Sequence, residues 1–129
     1  MKTFTIALIT ALTFFASCSN DEDNEPQNTS RTLRYELTGN FSGSNIIAAY
    51  TTASGGTVTE QITSLPWNKE ITFDSTVGGA NMVVSGAGGT AGQQVTLVIK
   101  RGGNQVGTPT TATADAGGTF TISSPVITF

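Results

Sequence analysis

An all-β fold is predicted for residues 31–129: a small antiparallel immunoglobulin-like β-sandwich of seven or eight strands. Three observations predict it. Short runs rich in Val, Ile, Thr and aromatics alternate apolar with polar residues, the period of a half-buried strand. Glycine clusters break these runs every 8 to 12 residues or so, the spacing of a sandwich of immunoglobulin size. No segment carries a helical period, and its many glycines and threonines disfavour helix. An up-and-down barrel is the alternative closure.

Taken in order, TLRYELTG (32–39) puts Leu33, Tyr35 and Leu37 on one face and Arg34, Glu36 and Thr38 on the other. NIIAAYTT (45–52) is the second strand, and the turn ASGG joins it to TVTEQITS (57–64). NKEITFD (68–74) points Ile71 and Phe73 inward, and ANMVVSG (80–86) is the fifth strand. QVTLVIKR (94–101) alternates most clearly, with Val95, Leu97 and Ile99 inward. The turn GGN leads to QVGTPTTAT (105–113), where Pro109 marks an edge or a bend because it cannot donate to a ladder. GTFTISSPVITF (118–129) is the last strand, with Phe120 and Ile122 inward. No cysteine pair is present to tie the sheets, so packing alone must hold the core.

Charge and absent residues narrow the function. The chain has nine acids and six bases. From residue 31 onward, Arg31, Arg34, Lys69, Lys100 and Arg101 balance Glu36, Glu60, Glu70, Asp74 and Asp115, so the domain is neutral and the acidity belongs to the N-terminal segment. A neutral domain lacks the basic face that a nucleic-acid partner requires. The chain has no histidine and one cysteine, hence no imidazole base and no zinc site of the usual His/Cys kind. The five acids show no calcium-loop spacing. A carboxylate pair that forms only in space is not readable from sequence. The expectation is a protein that is not an enzyme and holds no metal or cofactor.

Three features have both a functional and a structural reading. Trp67, in SLPWNKEI, is either an exposed aromatic for stacking or a core plug beside Leu65 and Ile71; the core reading is preferred. Lys100 and Arg101 before GGNQ read as a solvated hairpin turn rather than a basic tip gripping an anion. GGANMVVSGAGGTAGQ does not fit the spacing of a phosphate loop, and its glycines read as turns and tight sheet contacts.

The N-terminus carries address information. Met1–Lys2, the apolar run FTIALITALTFFA and small residues Ala16 and Ser17 have the pattern of a secretory signal over 1–17. The run is too short to span about 30 Å of hydrocarbon. Phe15-Ala16-Ser17-Cys18 resembles a bacterial lipobox, with phenylalanine where leucine or valine is commoner. The resemblance implies that Cys18 carries covalent lipid and begins the mature chain; two or more acyl chains would anchor it stably. Residues 18–30 read as a flexible spacer. Its acids Asp21, Glu22, Asp23 and Glu25 also resemble the lipoprotein export signal of Bacteroidetes-type bacteria. The expected location is the outer membrane, facing either the periplasm or the cell surface.

A second resemblance covers residues 35 to about 107. YELTGNFSGSNIIAAYTTASGGTVTEQITSLPWNKEITF is similar to the extracytoplasmic domain of the mycobacterial small membrane proteins, the MmpS family. Tyr35, Thr38, Gly39, Tyr50, Thr51, Gly55, Gly56, Glu60, Gln61, Leu65, Pro66, Trp67 and Lys69 stand at the matching positions. The Glu-Gln to Leu-Pro-Trp segment is the specific part. The resemblance implies a small β-sandwich working beside an RND-type transporter of the MmpL kind, with Glu60, Gln61, Pro66, Trp67 and Lys69 as the expected partner contact. Two departures from the family stand out: its members usually carry a cysteine pair in the domain, which has none here, and they are held by an N-terminal membrane helix where this chain is expected to be lipidated. The alternative expectation is a surface lipoprotein that binds a glycan, protein or lipid.

Overall fold

A computed structural model describes residues 28–129. The signal segment 1–17, Cys18 and the acids at 21, 22, 23 and 25 lie outside these residues. The described residues form antiparallel strands without a helix. The strands are β1 (Thr32–Gly39), β2 (Asn45–Thr51), β3 (Thr57–Ile62), β4 (Trp67–Thr72), β5 (Gly79–Ala80), β6 (Met82–Ala87), β7 (Gln94–Arg101), β8 (Asn104–Gln105), β9 (Thr110–Thr113), β10 (Phe120–Ser123) and β11 (Ile127–Thr128).

One sheet runs β4-β1-β7, with β8 and β9 both pairing β7 along its length. The second runs β10-β6-β2-β3, and β5 pairs β11 in a two-stranded ribbon. The architecture is the expected antiparallel sandwich, with eleven strands instead of seven or eight. The additional strands arise where three expected strands divide. The chain changes partner at Asn81, so β5 joins β11 while β6 joins β2. Pro109 separates β8 from β9, and Pro125 separates β10 from β11.

Alternation builds the core. Leu33, Tyr35 and Leu37 of β1 face Val95, Leu97 and Ile99 of β7 within one sheet. Ile46, Ala48 and Tyr50 of β2 lie beside Met82, Val84 and Gly86 of β6 in the other. These inner faces, with Phe41, Ile62, Ile71, Phe73, Phe120 and Ile122, make one buried cluster. Phe41 and Phe120 meet edge to face, ring centroids 4.7 Å apart, a favoured aromatic geometry. Glycine allows this approach: a Cβ at Gly86 would overlap the Phe120 ring, and one at Gly89 would overlap Phe41.

Candidate functional site at the β3–β4 edge

β3 and β4 are edge strands of different sheets, and residues 63–66 carry the chain from one to the other. Alternation within each strand decides which side chains enter the gap. On β3, Ile62 is buried, so Glu60 and Val58 share the inward parity. On β4, Ile71 is buried, so Lys69 and Trp67 share it. Glu60 and Lys69 thus point toward each other between the sheets, and their charges meet: Lys69 Nζ lies 3.2 Å from Glu60 Oε2. Tyr50, inward on β2, donates its hydroxyl to the same carboxylate oxygen at 2.7 Å. The Lys69 ammonium also stands 5.7 Å from the Tyr50 ring centroid.

The three groups shift one another. The Tyr50 hydrogen bond first, opposed by desolvation and aided by Lys69, holds the Glu60 carboxyl below its ordinary range. Tyr50 and Glu60 hold the Lys69 ammonium charged above the usual lysine value. Desolvation first, and Glu60 second, raise the Tyr50 phenol. Charged side chains turned inward on edge strands also guard an open sheet edge against pairing with another chain. Glu60 and Lys69 therefore close the side of the sandwich.

The other sequence-predicted contact residues lie around this cluster. Trp67 is half-buried, in register with Leu37 and packed against the core, so neither reading of it holds in full. Pro66 follows Leu65 through a cis bond and is exposed; Leu65 packs against the core. Gln61 has the opposite parity to Glu60. It is exposed on the outer face, in register with Ile47, whose side chain is 44% exposed. That outer face, built from Asn45, Ile47, Ala49, Thr57, Thr59, Gln61, Val83, Ser85, Thr121 and Ser123, carries no charge. The sequence brought Glu60, Gln61, Pro66, Trp67 and Lys69 into one contact patch; the structure sorts them into a partly exposed ion pair at the sheet edge, a half-buried plug and two exposed residues.

The outer face of the other sheet is charged. Arg34 Nε and Lys100 Nζ both reach Glu36 Oε1, at 3.0 and 3.2 Å. With Thr32, Glu70, Gly102 and Gly103 they line a shallow hollow of about 400 Å³. Lys100 thus belongs to this face, while Arg101 turns to the opposite side of the strand. The turn at Gly102–Gly103 joins β7 to β8, as the hairpin reading required. Among the described residues no group of three or more Cys, Asp or Glu side chains gathers to hold a metal. Comparison of the chain with models of protein families, with curated proteins and with solved structures gives no match.

Proposed function

We propose that this chain is a non-catalytic, lipid-anchored binding module of the cell envelope that assists an RND-type transporter of the MmpL kind. The lipobox-like Phe15–Cys18 segment supports the anchor. One observation carries the contact: the outer face on β10-β6-β2-β3 is uncharged, with Ile47 exposed and Gln61 beside it, and the exposed Pro66 follows in the connection after β3. Depletion of charge with exposed aliphatic residues is the make-up of the centre of a protein–protein contact. Glu60 and Lys69 act one step back, fixing the edge on which Gln61 and Pro66 are presented.

A photo-crosslinking residue at Ile47 or Gln61, compared with one at Thr96 on the charged sheet, tests this reading. The expected result is a discrete adduct with an inner-membrane transporter from the first two positions only. Equal labelling from all three would remove the proposed face.

The acids at 21, 22, 23 and 25 favour a second reading, a surface lipoprotein binding a ligand outside the cell. An epitope tag at Thr108 separates the two readings. Thr108 is exposed between β8 and β9, whereas Phe129 is packed against Phe73. Labelling of intact cells places the domain outside and removes direct work with an inner-membrane transporter. Labelling only after permeabilisation removes the surface reading.

A further inference from the structure

The end of the sandwich at which the spacer enters is organised around two arginines. Asn28, Thr29, Arg31, Arg101, Thr128 and Phe129 line a cleft of about 460 Å³, and none of these side chains is acidic. Each guanidinium is held by main-chain carbonyls instead of a carboxylate. Arg31 Nε donates to Phe73 O at 3.2 Å and to Asp74 O at 3.1 Å, and its Nη2 donates to Asp74 O and Val77 O. Arg101 Nε donates to Ser30 O at 2.6 Å, and its Nη1 donates to Thr128 O at 3.2 Å. Among the described residues no carboxylate lies within 4.0 Å of either group. Both stand over the Phe129 ring, at 4.6 and 5.1 Å from its centroid.

A guanidinium has five N–H donors. These bonds leave the Nη1 amino group of Arg31 and the Nη2 amino group of Arg101 without a protein acceptor among the described residues. Two full positive charges, oriented in advance and with spare donors, open on one cleft. Fork-shaped donors of this kind match the oxygens of a phosphate, and fixing them beforehand lowers the ordering cost of binding.

We propose that this cleft binds a phosphate group, with Arg31 and Arg101 as its two ligands. The phosphate is either a free ion or the headgroup of the bilayer that holds the anchor. The second source rests on the lipid-anchor reading above. Asn28 follows Cys18 by ten residues, a reach of at most about 35 Å at full extension. The cleft therefore lies at the part of the domain that the tether keeps nearest the membrane.

The test uses the processed chain, residues 18–129, with Cys18→Ala so that it stays in solution. Inorganic phosphate is titrated while the Nε–H signals of Arg31 and Arg101 are followed by NMR, with chloride at equal ionic strength as control. Saturable movement of both signals in phosphate alone is expected. Thr128→Asp adds a carboxylate to the cleft at an exposed position, leaving both arginines and their carbonyl bonds in place. It is expected to weaken phosphate binding at least tenfold without changing the melting temperature.

Absence of movement means that the cleft does not bind phosphate, and movement that survives Thr128→Asp means an adventitious ion only; either overturns the proposal. Binding that emerges only when Asp21, Glu22, Asp23 and Glu25 are made neutral amides also overturns it, because the chain's own acids would then fill the cleft. Vesicles distinguish the sources. Salt-sensitive binding to phosphatidylglycerol but not phosphatidylcholine, lost in Thr128→Asp, supports the headgroup. Phosphate binding without vesicle binding supports the free ion. The mass of the mature wild-type chain tests lipidation of Cys18 separately, and its failure leaves the phosphate titration standing.

Discussion

At one edge of the four-stranded sheet, Phe120 of β10 packs against Phe41, and the rings rest directly on the backbone of Gly86 and Gly89. At the other edge, β3 meets β4 through Tyr50, Glu60 and Lys69, and both charged side chains remain about a third exposed. The first edge is closed by apolar area and tolerates no added atom. The second is closed by an ion pair that water still reaches. Burial of aromatic area holds a fold strongly, whereas an ion pair in contact with solvent contributes little and serves mainly to keep the edge unavailable to other strands. Mutations at the two edges should therefore differ severalfold in their cost.

The largest effect is expected from Phe120→Ala, which empties the aromatic edge. Truncating a buried phenylalanine costs about 3–5 kcal/mol. In a domain of about 100 residues each kcal/mol moves the melting temperature by roughly 4–8 °C, so a fall of about 15 °C or more is expected in a calorimetric scan. Gly86→Ala follows. The new methyl must displace the Phe120 and Phe41 rings, and overpacking of this kind costs about 1–3 kcal/mol. A neutral Gly86→Ala would mean that the rings move freely, and the contrast between the two edges would fail.

Smaller effects are expected at the ion-pair edge. Glu60→Gln and Lys69→Met should each cost about 0.2–1 kcal/mol, the range of a solvent-exposed pair, and a double-mutant cycle should show that the two costs are not additive. The pH dependence has two limbs. Glu60 has a lowered folded pKa, so its contribution is present above its unfolded value of 4.5 and is lost as pH falls through the depressed value. Lys69 is raised, so its contribution is present below its unfolded value of 10.5 and is lost as pH rises through the elevated one. Chemical denaturation of wild type against Glu60→Gln should show a gap near neutral pH that narrows in acid. A gap independent of pH would show that shape, and not charge, closes this edge.

Much of the fold was legible because one inner face suffices to identify a strand. Leu33, Tyr35 and Leu37, or Val95, Leu97 and Ile99, announce their burial by period alone. What period does not give is the partner. The switch at Asn81 from β11 to β2 leaves no mark in the local pattern, and neither does the division at Pro125, although Pro109 did signal a bend. The candidate site followed the same rule. Glu60 and Lys69 each sit on the apolar parity of their own strand, two residues from Ile62 and Ile71. A charge on that parity is a readable sign of an inward partner of opposite sign. Of the cleft of Arg31, Arg101 and Phe129 only the basic pair Lys100–Arg101 showed in the sequence, where it read as a hairpin turn, because three distant segments meet there only after folding.

The smallest expected effect is at Tyr35, and it sharpens the same contrast when set against Tyr50. Tyr50 and Tyr35 both point inward, but Tyr50 has Glu60 as acceptor while the Tyr35 hydroxyl is buried without a protein partner among the described residues. Burial alone pushes the Tyr35 phenol up to about 12. A hydrogen bond to a charged acceptor contributes about 1.5–3 kcal/mol, less where solvent competes for it, whereas a buried unsatisfied hydroxyl is itself a cost. Tyr50→Phe should therefore destabilise the domain. Tyr35→Phe removes an oxygen that has no partner among the described residues and preserves the ring, in register with Lys69 on one side and Ile99 on the other. Its melting temperature should equal or slightly exceed that of wild type. A fall of several degrees would show that the Tyr35 hydroxyl has a partner, and that the sandwich is held from within by a polar contact as well as by packing.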